Sequence, residues 1–232
     1  MEKSNKPLTQ HLTDFLDYLD IEKGLSNNSQ KNYAKFLKKF FDWLEKTNKK
    51  DIKPSELTAQ HIWEYKLYLS RVKNPVSEKY LKRTTQNYYL IALRMMLDYF
   101  SDKNITALAS SKIKLPKTNK EKVLNFLTLD QVEKLLAQPN TANEIGIRDR
   151  TILEVLFSTG MRVAELVSLN RDQFTNIKNN SDELEITIIG KGDKPRVVYF
   201  SQRSLSWLKK YLSIRKDNDK ALFIRYGGLK NE

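Results

Sequence analysis

Two short stretches hold side chains of the kind that act on phosphodiesters: Ser158-Thr-Gly-Met-Arg162-Val-Ala-Glu165-Leu-Val-Ser-Leu169 and Gly190-Lys191-Gly-Asp-Lys194-Pro-Arg196. Cleaving a phosphodiester without a metal requires fixed positive donors on the nonbridging oxygens, where charge gathers in the transition state. A guanidinium donates twice in one plane and never loses its proton, so it meets that need. Arg162 follows Gly160 at the expected start of a helix, where a close backbone turn aims it into a cleft. Glu165 lies three residues on along the same helical face and can orient Arg162 through a charged pair. Lys191 sits at the tip of an expected hairpin, where an ammonium has a proton to give. Taken singly, Arg162 and Glu165 read better as an ordinary i, i+3 surface ion pair, and a turn lysine is usually just solvated.

These residues need a frame, and hydrophobic periodicity supplies one that is mainly α with a small β component. In the first half, Leu8, Leu12, Phe15, Leu16 and Leu19 form the stripe of an amphipathic helix ending before Gly24. Tyr33, Leu37, Phe40, Phe41 and Leu44 mark a longer one. Further helices fit 58–71 and 83–100, and short loops between the four make a compact helical module. In the second half, Thr128 to Gln131 has the form of a capping box opening a helix through Leu136. Residues 147–158 read as a buried helix ended by Gly160, and 161–169 begin another. Residues 184–189 and 195–200 are β-rich runs joined by a glycine-containing loop. A helix over 204–215 and a short strand over 221–224 follow.

Charge divides the chain in the same way. The protein has 232 residues, 41 Lys plus Arg against 28 Asp plus Glu, and a formal net charge of +13. Residues 1–120 carry 23 basic and 13 acidic side chains, net +10, and residues 121–232 carry 18 and 15, net +3. A part built to meet a polyanion and a part whose few basic residues act individually are expected. The boundaries read as a helical module over 1–110, a lysine-rich linker over 111–126 and a second domain over 127–232. Candidate phosphate contacts in the first part are Lys31, Lys35 and Lys38, which recur on one face of the second helix, with Lys79, Lys82, Arg83 and Arg94 around the fourth. For any single lysine, solvation of the helix face is the better explanation, and the net charge shifts the balance for the set rather than for its members.

Several classes are set aside. With no Cys there is no disulfide framework, thiol nucleophile or thiolate zinc site, which fits a reducing cytoplasm. His11 and His61 lie on separate helices without a neighbouring carboxylate at ligand spacing, so no metal site and no cofactor are expected. The 190–192 glycines lack the G-x-x-x-x-G-K-[ST] form, which argues against nucleotide binding. No run approaches the roughly 18 apolar residues of a membrane span, and the N-terminus has no apolar signal region.

The motifs together resemble the tyrosine recombinases, or phage integrase family, which includes the Xer recombinases. The family's first-arginine motif, T-G-x-R-x-x-E-L-x-x-L, is matched by Thr159, Gly160, Arg162, Glu165, Leu166 and Leu169. Its lysine hairpin, G-K-G-x-K-x-R, is matched by Gly190, Lys191, Gly192, Lys194 and Arg196. Leu127 to Leu136 and Ile147-Arg-Asp-Arg150 are similar to the opening segments of its catalytic domain. Gly24-Leu-Ser-x-x-Ser29-x-x-x-Tyr33-x-x-x-Leu37-x-x-Phe40 is similar to its helical core-binding module.

The resemblance implies a SAM-like four-helix core-binding domain followed by a mixed α+β catalytic domain. It implies site-specific recombination of double-stranded DNA through a 3′-phosphotyrosyl intermediate, by four protomers on two sites in a bacterial cytoplasm, associated with the nucleoid. Arg162 and Lys191 become catalytic residues, Lys191 as general acid to the departing 5′-oxygen, with Glu165 supporting; Lys194 and Arg196 join the DNA-contacting set. The H-x-x-R box, the second His or Trp and the nucleophilic Tyr that the family places after the hairpin are not found. The catalytic domain is therefore expected to be incomplete, with no nucleophile among Tyr199, Tyr211 and Tyr226. A noncatalytic relative that occupies recombination sites is the alternative.

Overall fold

The computed structural model describes residues 1–74, 78–116, 126–175, 183–190, 192 and 194–226. The chain divides into two compact units, residues 1–122 and 123–232. Among the described residues no helix is long and apolar enough to cross a membrane.

The first unit is built on four α-helices: α1 (Leu12–Ile21), α2 (Asn27–Lys46), α3 (Ala59–Arg71) and α4 (Arg83–Asp102). Residues Leu8–His11 form a 3-10 turn rather than the first turn of α1. Pro7 precedes that turn outside the helical region, and its carbonyl accepts the Gln10 N–H at 3.0 Å in the tighter i+3 pattern. Gly24 ends the α1 region in the left-handed backbone region, from which its N–H and that of Leu25 return to the carbonyls of Asp20 and Leu19. The apolar stripes meet in an aromatic core around Phe15, Phe40, Tyr65 and Phe100, with the Phe40 and Tyr65 rings edge-on at 4.8 Å. The stretch read as a linker begins with residues that pack onto this unit. Ile113 is buried in its core, and the Pro116 carbonyl accepts a hydrogen bond from Asn87. Residues 117–125 of that stretch lie outside the described residues.

The second unit contains α5 (Leu129–Leu136), α6 (Glu144–Thr159), α7 (Val163–Val167), β1 (Glu183–Ile189), β2 (Pro195–Ser201) and α8 (Gln202–Ile214). The capping box expected at Thr128 and Gln131 is present on both sides. Helix α6 starts earlier than its apolar pattern suggests, because the Asn143 side chain accepts from the Gly146 N–H and nucleates the extra turn. Strands β1 and β2 pair antiparallel, with Leu184 opposite Phe200, Ile186 opposite Val198 and Ile188 opposite Arg196. Ile186, Ile188, Val198 and Phe200 face a core completed by Val155, Leu166, Leu169, Leu205, Leu208 and Tyr211.

The strand expected over 221–224 is reduced to a single bridge between Asn170 and Ala221. The fully buried Arg215 guanidinium takes the Ala221 and Leu222 carbonyls at 2.6 and 2.8 Å, removing acceptors that a ladder would need.

Candidate active site

Helix α6 ends at Gly160, whose left-handed conformation (φ 60°) no β-branched or bulky residue adopts without strain. The chain turns there, and Arg162 falls at the N-cap of α7 in extended conformation. Glu165, at the third helical position, completes a capping arrangement. Its Oε2 accepts the Arg162 backbone N–H at 2.7 Å and its Oε1 accepts Arg162 Nη1 at 3.0 Å. Glu165 is 7% exposed in its side chain and Arg162 61%, so the carboxylate forms the buried anchor and the guanidinium the presented group.

A third residue joins them. Arg196 on β2 donates from Nη2 to Glu165 Oε2 at 2.7 Å. The Arg162 N–H, first, and then the Arg162 and Arg196 side chains hold the Glu165 carboxyl below its ordinary value, against an opposing push from burial. The carboxylate stays charged and fixes both guanidinia. The hairpin neck passes close by, with the Gly190 N–H donating to the Lys194 carbonyl at 2.8 Å. A Cβ on Gly190 would stand 3.2 Å from that carbonyl and 3.7 Å from Glu165 Oε1. Lys191 lies outside the described residues; Lys194 is exposed.

A network of ions centred on buried Glu154 ties these helices together. Glu154, 2% exposed, receives Arg150 Nε at 2.9 Å and Nη2 at 2.6 Å from one turn away. It also receives Arg203 Nε from α8 at 2.8 Å. Arg203 reaches on to Glu133 of α5 at 2.6 Å, and Arg150 donates to the Leu136 carbonyl. Glu133 is held below its ordinary carboxyl value, chiefly by the Arg203 hydrogen bond. Ser158 hydrogen-bonds the backbone of Tyr199 and Ser201, so the last turn of α6 is fastened to β2 just before the Arg162 turn.

The candidate phosphate contacts of the first unit lie apart from this chemistry in sequence and in role. Lys31, Lys35 and Lys38 are exposed on α2, and Lys79, the α4 N-cap Lys82 and Arg83 are exposed as well; Arg94 is half-buried. Beside them, Tyr88 of α4 stacks on Phe36 of α2 at 5.8 Å and remains 56% exposed. Of the two histidines, His11 is a core residue, edge-on to Phe100 at 5.1 Å, and Asp14 does stand near it at 3.8 Å, an i, i+3 neighbour the spacing argument passed over. His61 sits in the cap of α3, where its Nδ1 accepts the Thr58 N–H. No cluster of three or more His, Cys, Asp or Glu that could hold a metal occurs among the described residues.

Sequence reasoning missed the contact between Arg196 and Glu165, although alternation carried the signal: Arg196, Val198 and Phe200 share one face of β2. The Glu154 network had only its Arg150 spacing to announce it, and Arg203 had none.

A model of the phage integrase family matches residues 125–231, and a model of the phage integrase N-terminal SAM-like domain matches residues 12–104. The tyrosine recombinase XerD of Lacticaseibacillus casei is 30% identical over 223 residues, which cover 94% of this chain and 71% of the relative. XerC of Leptospira interrogans is 32% identical over 221 residues, covering 92% and 65%. Two solved structures share the fold. XerH recombinase bound to its difH substrate in a pre-cleavage complex superposes with a TM-score of 0.68 at 20% identity, over 97% of this chain and 76% of that one. The Tn1549 transposon integrase with circular-intermediate DNA gives 0.56 at 14%, over 92% and 71%. The chain thus spans about two thirds to three quarters of the length of these proteins.

Proposed function

The chain belongs to the tyrosine recombinase, or phage integrase, family, and from that premise we propose that it binds duplex DNA at a recombination site and supplies one half of a strand-cleaving and rejoining centre. The observation that carries this reading is the Arg162 guanidinium, exposed on a buried, charged Glu165 that two arginines keep ionised. Such a donor is preorganised for a nonbridging phosphate oxygen and needs no rearrangement as charge develops there.

In this reading Arg162 holds the scissile phosphate and Lys191 protonates the 5′-oxygen as it leaves. A tyrosine attacks phosphorus, the P–O5′ bond breaks, and the 5′-hydroxyl later reverses the step on a partner strand. The phosphotyrosyl bond retains the phosphodiester energy, so neither a nucleotide nor a metal is required. Lys31, Lys35, Lys38, Lys82, Arg83 and Arg94 grip the DNA backbone, with Lys194 at the hairpin. Four protomers on two sites, in a bacterial cytoplasm, are the assembly that such a reaction uses.

None of the tyrosines of residues 123–232 has a nucleophile's surroundings. Tyr211 is fully buried and its hydroxyl accepts the Ile224 N–H. The Tyr226 hydroxyl is sealed from solvent, and burial pushes its pKa up to about 12. Tyr199 projects from the face of β2 opposite to Arg196. These 232 residues are therefore expected to bind a cognate duplex without forming a covalent bond to it. A nicked suicide substrate separates the outcomes on a denaturing gel: no slow-migrating protein–DNA band is expected, and a band lost on Tyr199→Phe would overturn the assignment.

A further inference from the structure

We propose that Arg196, although it belongs to the basic hairpin motif, is a positioning residue: it clamps the neck of the 190–194 loop to the Arg162 turn through Glu165 and makes no contact with a DNA phosphate. The inference rests on the recombinase reading for its meaning and on the geometry of the free protein for its support. Strand alternation comes first. Pro195, Val197 and Tyr199 are exposed, whereas Arg196 shares the inward face with buried Val198 and Phe200 and stands opposite buried Ile188. A side chain recruited only to meet a polyanion would be favoured at the outward positions of the same strand.

The acceptor comes second. Glu165 Oε2 sits between the Arg162 backbone N–H and Arg196 Nη2, each at 2.7 Å, while Oε1 takes Arg162 Nη1 at 3.0 Å. Turning Arg196 toward a phosphate would strip one charged donor from a carboxylate that is 7% exposed and leave Oε2 with the Arg162 N–H alone, which costs free energy at a buried charge. Arg162 is under less constraint: most of its side chain remains in solvent (61% exposed, against 38% for Arg196). The two arginines thus divide the work, one presented and one committed.

The hairpin neck comes third. Gly190 lies beside Glu165, where an added Cβ would stand in ordinary contact with Oε1 at 3.7 Å, and the Gly190 N–H to Lys194 carbonyl bond closes the neck at that point. Helix α7 and β2, next to the hairpin neck, are therefore joined through one carboxylate. Delivering an electrostatic donor and a proton donor to one phosphate depends on such a shared frame, because small misplacements of either cost rate steeply.

Two measurements on the 232-residue protein test this. In the DNA-free protein, Arg196→Ala should accelerate amide hydrogen exchange at Gly190 about tenfold, the effect expected for loss of a charge-assisted hydrogen bond, while core amides such as Val155 stay protected. Glu165→Gln should accelerate it similarly, and the double variant no further. With a generic 30-base-pair duplex, Arg196→Ala should leave the dependence of log K on log salt unchanged, whereas loss of a true phosphate ligand lowers the slope by about 1. Unchanged exchange at Gly190, or a slope reduced by about 1, overturns the proposal. Should Arg196→Ala not fold, Arg196→Lys keeps the charge, and exchange at Gly190 then decides alone, rising if the clamp exists. If the wild-type protein shows no salt-dependent binding, the recombinase reading falls while the exchange result still judges the clamp.

Discussion

The two units handle charge in opposite ways. Among the described residues, the first unit buries one ionisable side chain outside its tyrosines, His11, beneath an aromatic and aliphatic core. Its lysines lie outside, several of them over aromatic faces: Lys23 over Tyr18 at 5.0 Å, Lys39 over Tyr68 at 5.6 Å and Lys49 over Trp43 at 5.9 Å. The second unit buries Glu154, Glu165 and Arg215; Glu154 and Glu165 join elements distant in sequence, and Arg215 holds the nearby carbonyls of Ala221 and Leu222. Apolar packing gives the first unit a rigid scaffold whose surface is free to meet a polyanion. Ion pairing gives the second defined positions for individual side chains, at the cost of sensitivity to the loss of any one of them.

Core truncations set the upper end of that contrast. Phe40→Ala removes a fully buried ring that touches Trp43 and Tyr65, and should destabilise the first unit by about 4 kcal/mol in urea titration. Glu154→Ala deletes no comparable volume, yet leaves Arg150 and Arg203 without their shared acceptor. A loss of about 3 kcal/mol is expected from the second unit. The comparison breaks if Glu154→Ala costs less than about 1 kcal/mol, a value typical of an exposed pair.

Acid should separate the units along the pH axis. Burial, reinforced by Lys6, lowers the His11 pKa below 6.5, with Asp14 and a backbone bond to Lys6 opposing. A base with a depressed folded pKa is held neutral by the fold, so its contribution is complete above 6.5 and is lost as pH falls through the folded value. Asp217 behaves likewise in a lower window. The Arg215 hydrogen bond leads in bringing its carboxyl down from 3.8 to about 2. Its contribution, on the order of 1 kcal/mol once partial exposure is allowed for, persists until pH falls below about 4. Thermal melting at pH 7, 5 and 3 should show the first unit weakening before the second. His11→Gln should flatten the early loss, and an unchanged profile in that variant would remove His11 as its source.

What the sequence disclosed follows the same division. Apolar stripes such as Tyr33, Leu37, Phe40 and Leu44 announce helices directly, because burial at helical spacing is what their core consists of. The Arg162 motif was legible too, since Gly160, the N-cap position and Glu165 are all local in the chain. Contacts between ions remote in sequence were not. Arg203 meets Glu133 across 70 residues and Glu154 across 49, and no periodicity records either; the bonds from Arg215 to the carbonyls of 221 and 222 are nearer in the chain but equally absent from any pattern. The missing strand over 221–224 has that origin: a run with β composition whose carbonyls an arginine had already taken.

The smallest effects should come from the surface that the first unit leaves free. Lys31, Lys35 and Lys38 recur at helical spacing, are exposed and lie on one face of α2, so replacing one by Ala should change stability by less than about 0.5 kcal/mol. Its mark belongs in the salt dependence of DNA binding. Lys35→Ala should lower the slope of log K against log salt by about 1, with a uniform few-fold loss of affinity across unrelated duplexes. Replacing all three sharpens the reading, because a slope lowered by roughly 3 assigns each lysine its own phosphate and a slope lowered by about 1 leaves two of them merely solvated. An unchanged slope would make the stripe a solvating face, and the polyanion-binding role of the first unit would then have to rest on Lys82, Arg83 and Arg94.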